Sequence, residues 1–206
     1  MILAQVTLES PPAISLLAIL VSAALTDNIL LTRFLGMCSF LAVSRQMKSS
    51  LGLGLAVTTV TTFTAAINAA LYRGVLEPLG LHISLKLILF IVVIAAFVQL
   101  MEMLIERPSL GLYYALGIFL PLITVNCAIL GTSLFMVNKN YSVAQGLVFG
   151  FGSGLGWMIA IAAMAGIRGR LKRSQIPPAL EGPGISLLIT GIMALAFVGF
   201  SGMIQF

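Results

Sequence analysis

Two residues of this chain, Cys38 and Cys127, have the side chains best suited to redox or soft-metal chemistry. Each follows an interruption in an apolar run. Thr26, Asp27, Asn28, Arg33 and Gly36 precede Cys38; Pro121, Thr124 and Asn126 precede Cys127, and Gly131 follows it. A thiol just past a break in a helix lies at the N-terminal end of a half-helix, where partial positive charge favours an anion. Thiolate is the form that binds a soft metal. A [2Fe–2S] cluster takes four protein ligands. A chain with two thiols that held one would therefore need two more Cys from a second chain, in a heterodimer or a twofold homodimer. The competing reading is that both are small buried hydrophobes, and the residues alone leave the two readings open. Gly36, Asn126 and Gly131 flank the thiols, where they could supply N–H donors or let backbone approach closely. There is no C-x-x-C pair, and two Cys make no disulfide framework.

The acids are few, and an acid inside a membrane is a functional hypothesis by default. Asp27 is the deepest; it could pair with Arg33, cap the half-helix after it, or belong to a cation pathway. Glu102, one turn beyond Gln99 at the end of an apolar run, suits the entry of a hard cation such as Na⁺, or a plain ion pair with Arg107. Glu106 reads as solvated and His82, the only His, as interfacial. The run Gly146, Gly150, Gly152, Gly154, Gly156 lacks the Lys of a phosphate loop and reads as a surface for close helix packing.

These residues need a scaffold, and composition says which kind. Of 206 residues 60% are apolar and 8% charged, against about 45–50% and about 25% in soluble domains. Lipid must be the main solvent. Six stretches reach the roughly 20 apolar residues a spanning helix needs: about 13–35, 50–71, 84–104, 112–136, 143–165 and 184–204. One membrane domain over 1–206 is predicted, without a cleaved signal peptide, since no basic segment opens the chain and Pro11–Pro12 interrupts its start. Gaps one, three and five carry eight Lys and Arg (Arg33, Arg45, Lys48, Arg107, Arg168, Arg170, Lys172, Arg173); the other side carries three (Arg73, Lys86, Lys139). The positive-inside rule puts the eight in the cytoplasm and both termini outside. The net charge of +5 is explained that way and implies no nucleic acid.

The halves repeat faintly. Thr26-x-Asn28 returns as Thr124-x-Asn126, Arg73-Gly74 as Arg168-Gly169, Ala96-Phe97-Val98 as Ala196-Phe197-Val198, and Met103 as Met203. Three helices per half make the repeats, about 13–104 and 112–204, run oppositely through the membrane. The expected fold is all-α: two inverted three-helix repeats with broken helices one and four, where such folds place their sites. One register is unsettled: the cysteines are 89 residues apart and the Thr-x-Asn motifs 98.

The segments FLGMCSFLAVS at 34–44 and ALGIFLPLITVNCAILG at 115–131 resemble the signature of a family of small six-helix membrane proteins. These are the D and E subunits of the sodium-translocating NADH:quinone oxidoreductase and the A and E subunits of the related Rnf complex. GFGSGLGWM at 150–158 and AGIR at 165–168 are more similar to the E-type quinone-reductase members than to the Rnf relatives. The resemblance covers essentially the whole chain. It implies a multi-pass component of a complex in the bacterial inner membrane that packs against a paralogue, the D subunit, of inverted topology. It implies that Cys38 and Cys127 are two ligands of a [2Fe–2S] cluster shared with that paralogue. Electrons would pass from the F subunit, with NADH and FAD, through the cluster to FMN on the C subunit. They would go on to FMN and riboflavin on the B subunit and to ubiquinone, with the A subunit completing the complex. The chain would hold no complete active site alone. The alternatives are the Rnf A subunit, which would couple ferredoxin to NAD, a secondary transporter, and an assembly protein with inert thiols. The transporter reading leaves the cysteines without a role.

Overall fold

The computed structural model describes residues 15–79, 85–106, 120–171 and 182–201. All regular structure among them is helical. Helix α1 (Leu16–Thr26) ends in a wide π-helical turn, Ser22–Thr26. It is followed by α2 (Met37–Val43), α3 (Met47–Leu71), α4 (Lys86–Glu106), α5 (Leu120–Thr124), α6 (Cys127–Asn138), α7 (Val143–Leu171) and α8 (Pro183–Ser201). A π turn, Tyr72–Leu76, prolongs α3. With that turn α3 is long and apolar enough to cross a membrane, as are α4 and α7; α1, the α5–α6 segment and α8 are shorter apolar helices.

The glycines of α7 explain how the helices pack. A Cβ on Gly150 would lie 2.7 Å from the carbonyl oxygen of Thr61, and one on Gly154 2.6 Å from Thr58 Cα. On the neighbouring face, a Cβ on Gly152 would lie 2.9 Å from Leu20 O, and one on Gly156 2.6 Å from Ala24 O. One stretch of α7 thus presses its backbone against α3 and α1 at once. Helices in lipid gain little from the hydrophobic effect and associate by such close contact of small residues. The threonines of α3 are buried without penalty because their hydroxyls donate within the helix: Thr58 to Gly54 O (2.7 Å), Thr61 to Val57 O (2.8 Å) and Thr64 to Val60 O (2.6 Å). Leu87, Ile88, Ile91 and Val92 on α4, with Ile192 and Leu195 on α8, face outward as an apolar surface.

Two arginines report which loops share a side. Arg73, past the end of α3, donates to Asn140 O, past the end of α6, at 3.1 Å. Arg168, near the end of α7, donates to Leu41 O at 3.0 Å and Ser44 Oγ at 2.8 Å, and also to Ser186 Oγ. Gaps two and four therefore lie together, as do one and five, as the alternation of spans requires. Each arginine braces the broken segment of the other half, a reciprocity that accords with an inverted repeat.

Two expectations need correction. The first span does not end near residue 35, because helix resumes as α2 through Val43. Nor does Arg33 belong to the basic side: it pairs with Asp27, which also binds Lys139 at the end of α6. Both follow from one cause. Residues 27–36 are a non-helical excursion that interrupts the first span. Moving Arg33 leaves seven basic residues against four, so the sign of the asymmetry holds. Pro11–Pro12, His82, Arg107, Lys172, Arg173 and Met203 lie outside the described residues.

Candidate functional site between two broken helices

The repeated Thr-x-Asn motif is one device used twice. α1 ends at Thr26 and α5 at Thr124, and two residues on stands a buried Asn. Asn28 Oδ1 accepts from the backbone N–H of Leu30 (3.0 Å) and Leu31 (3.3 Å), and its Nδ2 donates to Gly156 O at 2.9 Å. Asn126 caps α6, its Oδ1 accepting from Ala128 N–H at 3.0 Å. Its Nδ2 donates to Ser39 Oγ in α2 at 3.1 Å, which ties the second half-helix of one half to that of the other. The register question is thereby resolved. Ten residues, 27–36, separate α1 from α2, whereas only 125–126 separate α5 from α6. That accounts for eight of the nine residues by which the two spacings differ; the ninth arises because Cys38 is second in α2 and Cys127 first in α6.

Gly36 joins the breaks. Its backbone N–H donates to Cys127 Sγ at 2.9 Å. Its φ of +83° lies in the left-handed region that suits Gly. A Cβ there would meet Trp157 Nε1 at 2.8 Å, Ala128 Cβ at 3.0 Å and Asn126 Oδ1 at 3.1 Å. Phe34, also left-handed at φ 55°, helps turn the chain toward this position. Cys38 and Cys127 then occupy the first turns of α2 and α6, and both are exposed on the surface of the chain. This departs from the reading of the two as buried hydrophobes. Val125 and Phe34 are exposed beside them in sequence. Among the described residues no group of three or more His, Cys, Asp or Glu could hold a metal.

The flanking residues have distinct tasks. Gly36 is the one that reaches sulfur. Asn126 serves Ser39 and Ala128. Gly131 makes room for Leu35, whose Cδ1 lies 2.5 Å from where its Cβ would be, and so seats the excursion. Asp27 gives one oxygen to Arg33 Nε at 3.1 Å and the other to Lys139 Nζ at 3.3 Å. Arg33 stacks over Phe135 and Lys139 over Phe149. The pairing reading of Asp27 is thus the one the geometry supports, and a bound cation would have to compete with two positive side chains. Glu102 is half-buried on α4 and has no ion pair among the described residues. Sequence reasoning missed Ser39, Lys139 and Trp157. The signal for Trp157 was there: the only Trp of the chain sits inside its densest run of Gly.

Residues 16–204 match the family model described as Rnf-Nqr subunit, membrane protein. The chain belongs to the Rnf-Nqr family. The match runs from α1 through α8. Over 196 residues, 91% of this chain and 97% of the relative, the chain is 47% identical to the E subunit of the Na(+)-translocating NADH-quinone reductase of Hahella chejuensis (strain KCTC 2396). Identity at that level over nearly both full lengths makes this chain an E-like member of the Rnf-Nqr membrane proteins rather than a distant fold relative.

Proposed function

We propose that this chain is an electron-relay membrane component of a redox-driven Na⁺ pump, which couples NADH oxidation and quinone reduction to Na⁺ export. In this reading Cys38 and Cys127 supply two of the four ligands of a [2Fe–2S] cluster, and a paralogous D-type subunit supplies the others. The A, B, C and F subunits, with their FAD, FMN and riboflavin, complete the assembly. The basic loops face the cytoplasm and both termini face outward. One observation carries the reading: two exposed thiols sit on the first turns of half-helices from opposite halves, joined by the Gly36 N–H to Cys127 Sγ bond. The 47% identity to a protein of that name supports it.

The donor set fits such a group: soft ligands on a surface a partner can cover, with a backbone N–H already aimed at one sulfur. When bound, the cluster supplies a one-electron carrier inside the roughly 30 Å hydrocarbon core. This chain's residues hold it there. The Gly36 N–H donates to Cys127 Sγ, on the first turn of α6. The Asn126–Ser39 bond fixes α2 against α6.

The direct test is iron, acid-labile sulfide and the EPR spectrum of the reduced chain co-purified with its paralogue. About two iron and two sulfide per pair are expected. An intact, anaerobically prepared pair without iron would overturn the reading. Glu102 is proposed as a cytoplasmic entry group for Na⁺, from its half-burial in the last turns of α4. Glu102→Gln is expected to raise, several-fold, the Na⁺ concentration for half-maximal quinone reduction, with the cluster signal intact. An unchanged Na⁺ dependence would return Glu102 to a structural role.

A further inference from the structure

The two ends of the helix bundle differ in how their charge is met. At the end that carries Arg33, Arg73, Lys86 and Lys139, Asp27 binds two of the four. The other end carries Arg45, Lys48, Arg107, Arg168, Arg170, Lys172 and Arg173 against Glu102, Glu106 and Glu181. The chain's own carboxylates can therefore neutralise at most three of those seven. The structure gathers part of the surplus at one corner. Arg168 is fixed by Leu41 O, Ser44 Oγ and Ser186 Oγ. Arg45, the residue after Ser44, lies within electrostatic reach of it. Met47 comes to 3.7 Å from where a Cβ of Gly166 would stand, which sets the start of α3 against the last turns of α7. Lys48 follows in the first turn of α3. Like charges brought to one corner repel, and an anion seated among them relieves that cost.

We infer that Arg45, Lys48 and Arg168 seat the phosphate of an anionic phospholipid such as phosphatidylglycerol. The surface below the charges selects a lipid over a free phosphate. α3 is long and apolar enough to cross a membrane from Met47 onward. Lys48, Leu51 and Leu55 stand at i, i+3 and i+7, on one face of that helix, and all three are exposed. Leu51 and Leu55 thus offer an acyl chain an apolar bed directly below Lys48. Basic pockets between spanning helices on the cytoplasmic side bind anionic head groups in this way. A phosphate at this corner also steadies Arg168, which holds the end of α2, the half-helix that carries Cys38. The inference needs neither the thiols nor a cluster. It takes from the reading above only the cytoplasmic orientation of this end, which decides the leaflet.

The test uses the intact complex in mild detergent and a phosphatidylglycerol that carries a diazirine on its acyl chain. Photolysis is expected to label α3 around Leu51 and Leu55, as mapped by peptide mass spectrometry. Unlabelled phosphatidylglycerol is expected to suppress the labelling, and phosphatidylcholine or inorganic phosphate to leave it. In the double variant Arg45→Gln, Lys48→Gln, half-maximal labelling is expected to need about 30-fold more lipid, since two basic residues are removed. Unchanged labelling in that variant, or equal suppression by phosphatidylcholine, overturns the inference and leaves α3 merely solvated by lipid. Suppression by inorganic phosphate also overturns it, in favour of a free phosphate ion. Should the double variant fail to assemble, the unaltered complex decides alone, and a label that falls away from Leu51 and Leu55 overturns the inference. None of these outcomes bears on the relay reading, which stands or falls on iron and EPR.

Discussion

Replacing either Cys38 or Cys127 by Ala is expected to remove the [2Fe–2S] EPR signal and to lower quinone reduction by more than about 100-fold, since loss of even a supporting partner of a metal ligand costs about 10–100-fold. NADH oxidation by an artificial acceptor, which needs only the cytoplasmic part of the complex, is expected to persist. The geometry makes this a clean experiment. Both thiols are exposed on the chain, so truncation to Ala opens no cavity in its core. Asn126 caps α6 without the thiol, and α2 opens at Gly36, whose N–H loses its Cys127 Sγ partner in Cys127→Ala and keeps it in Cys38→Ala. Expression and detergent-extracted size should therefore match the parent, and a lost signal then means a lost ligand. The two variants should also agree with each other. Normal quinone turnover in either one would exclude a relay through this chain. A loss seen only with Cys127 would mean that Cys38 is a packing residue and that the proposed ligand pairing is wrong.

How much of this was legible in the sequence depends on what each residue had to report. The breaks were legible because Thr-x-Asn recurs, and the structure shows why it must: a buried Asn takes over backbone N–H groups where a helix stops. The packing role of the α7 glycines was legible too, since a Gly run without a Lys in an apolar span leaves few other uses. The length of the first break was not. Ile29, Leu30 and Leu31 look like continuing helix by composition, yet they are buried in a non-helical loop, and hydropathy responds to burial rather than to backbone conformation. Asp27 was ambiguous because one of its partners, Lys139, lies 112 residues away. The exposure of the thiols was illegible for a similar reason. Whether a Cys in an apolar stretch faces core, lipid or partner depends on helix rotation, which nothing near it in sequence sets. The glycine that matters most, Gly36, was named beside Cys38, its neighbour in sequence; the structure attaches it to Cys127, 91 residues away.

That displacement makes Gly36→Ala the more demanding prediction. Alanine at φ +83° meets the left-handed penalty of about 1–2 kcal/mol. Its methyl also needs space already held by Trp157 Nε1, Ala128 Cβ and Asn126 Oδ1, at 2.8, 3.0 and 3.1 Å. Overpacking of that kind costs about 1–3 kcal/mol. None of the three can yield freely: Trp157 is fully buried, Ala128 has no torsion to turn, and Asn126 is held by Ser39 and Ala128. The less constrained response is for residues 34–36 to withdraw, which breaks the Gly36 N–H to Cys127 bond. Gly36→Ala is therefore expected to lower iron content by about 10-fold or more, while the α3–α7 core stays assembled and the detergent-extracted protein keeps its size. Gly131→Ala is the internal comparison. Its Cβ would meet Leu35 Cδ1 at 2.5 Å, a closer approach, but to the end of a flexible side chain that can turn aside. If crowding alone mattered, Gly131→Ala would be the more damaging change. If the N–H aimed at sulfur matters, Gly36→Ala loses iron and Gly131→Ala largely keeps it. Full iron loading and an unshifted EPR spectrum in Gly36→Ala would show that this backbone donor contributes nothing to the site.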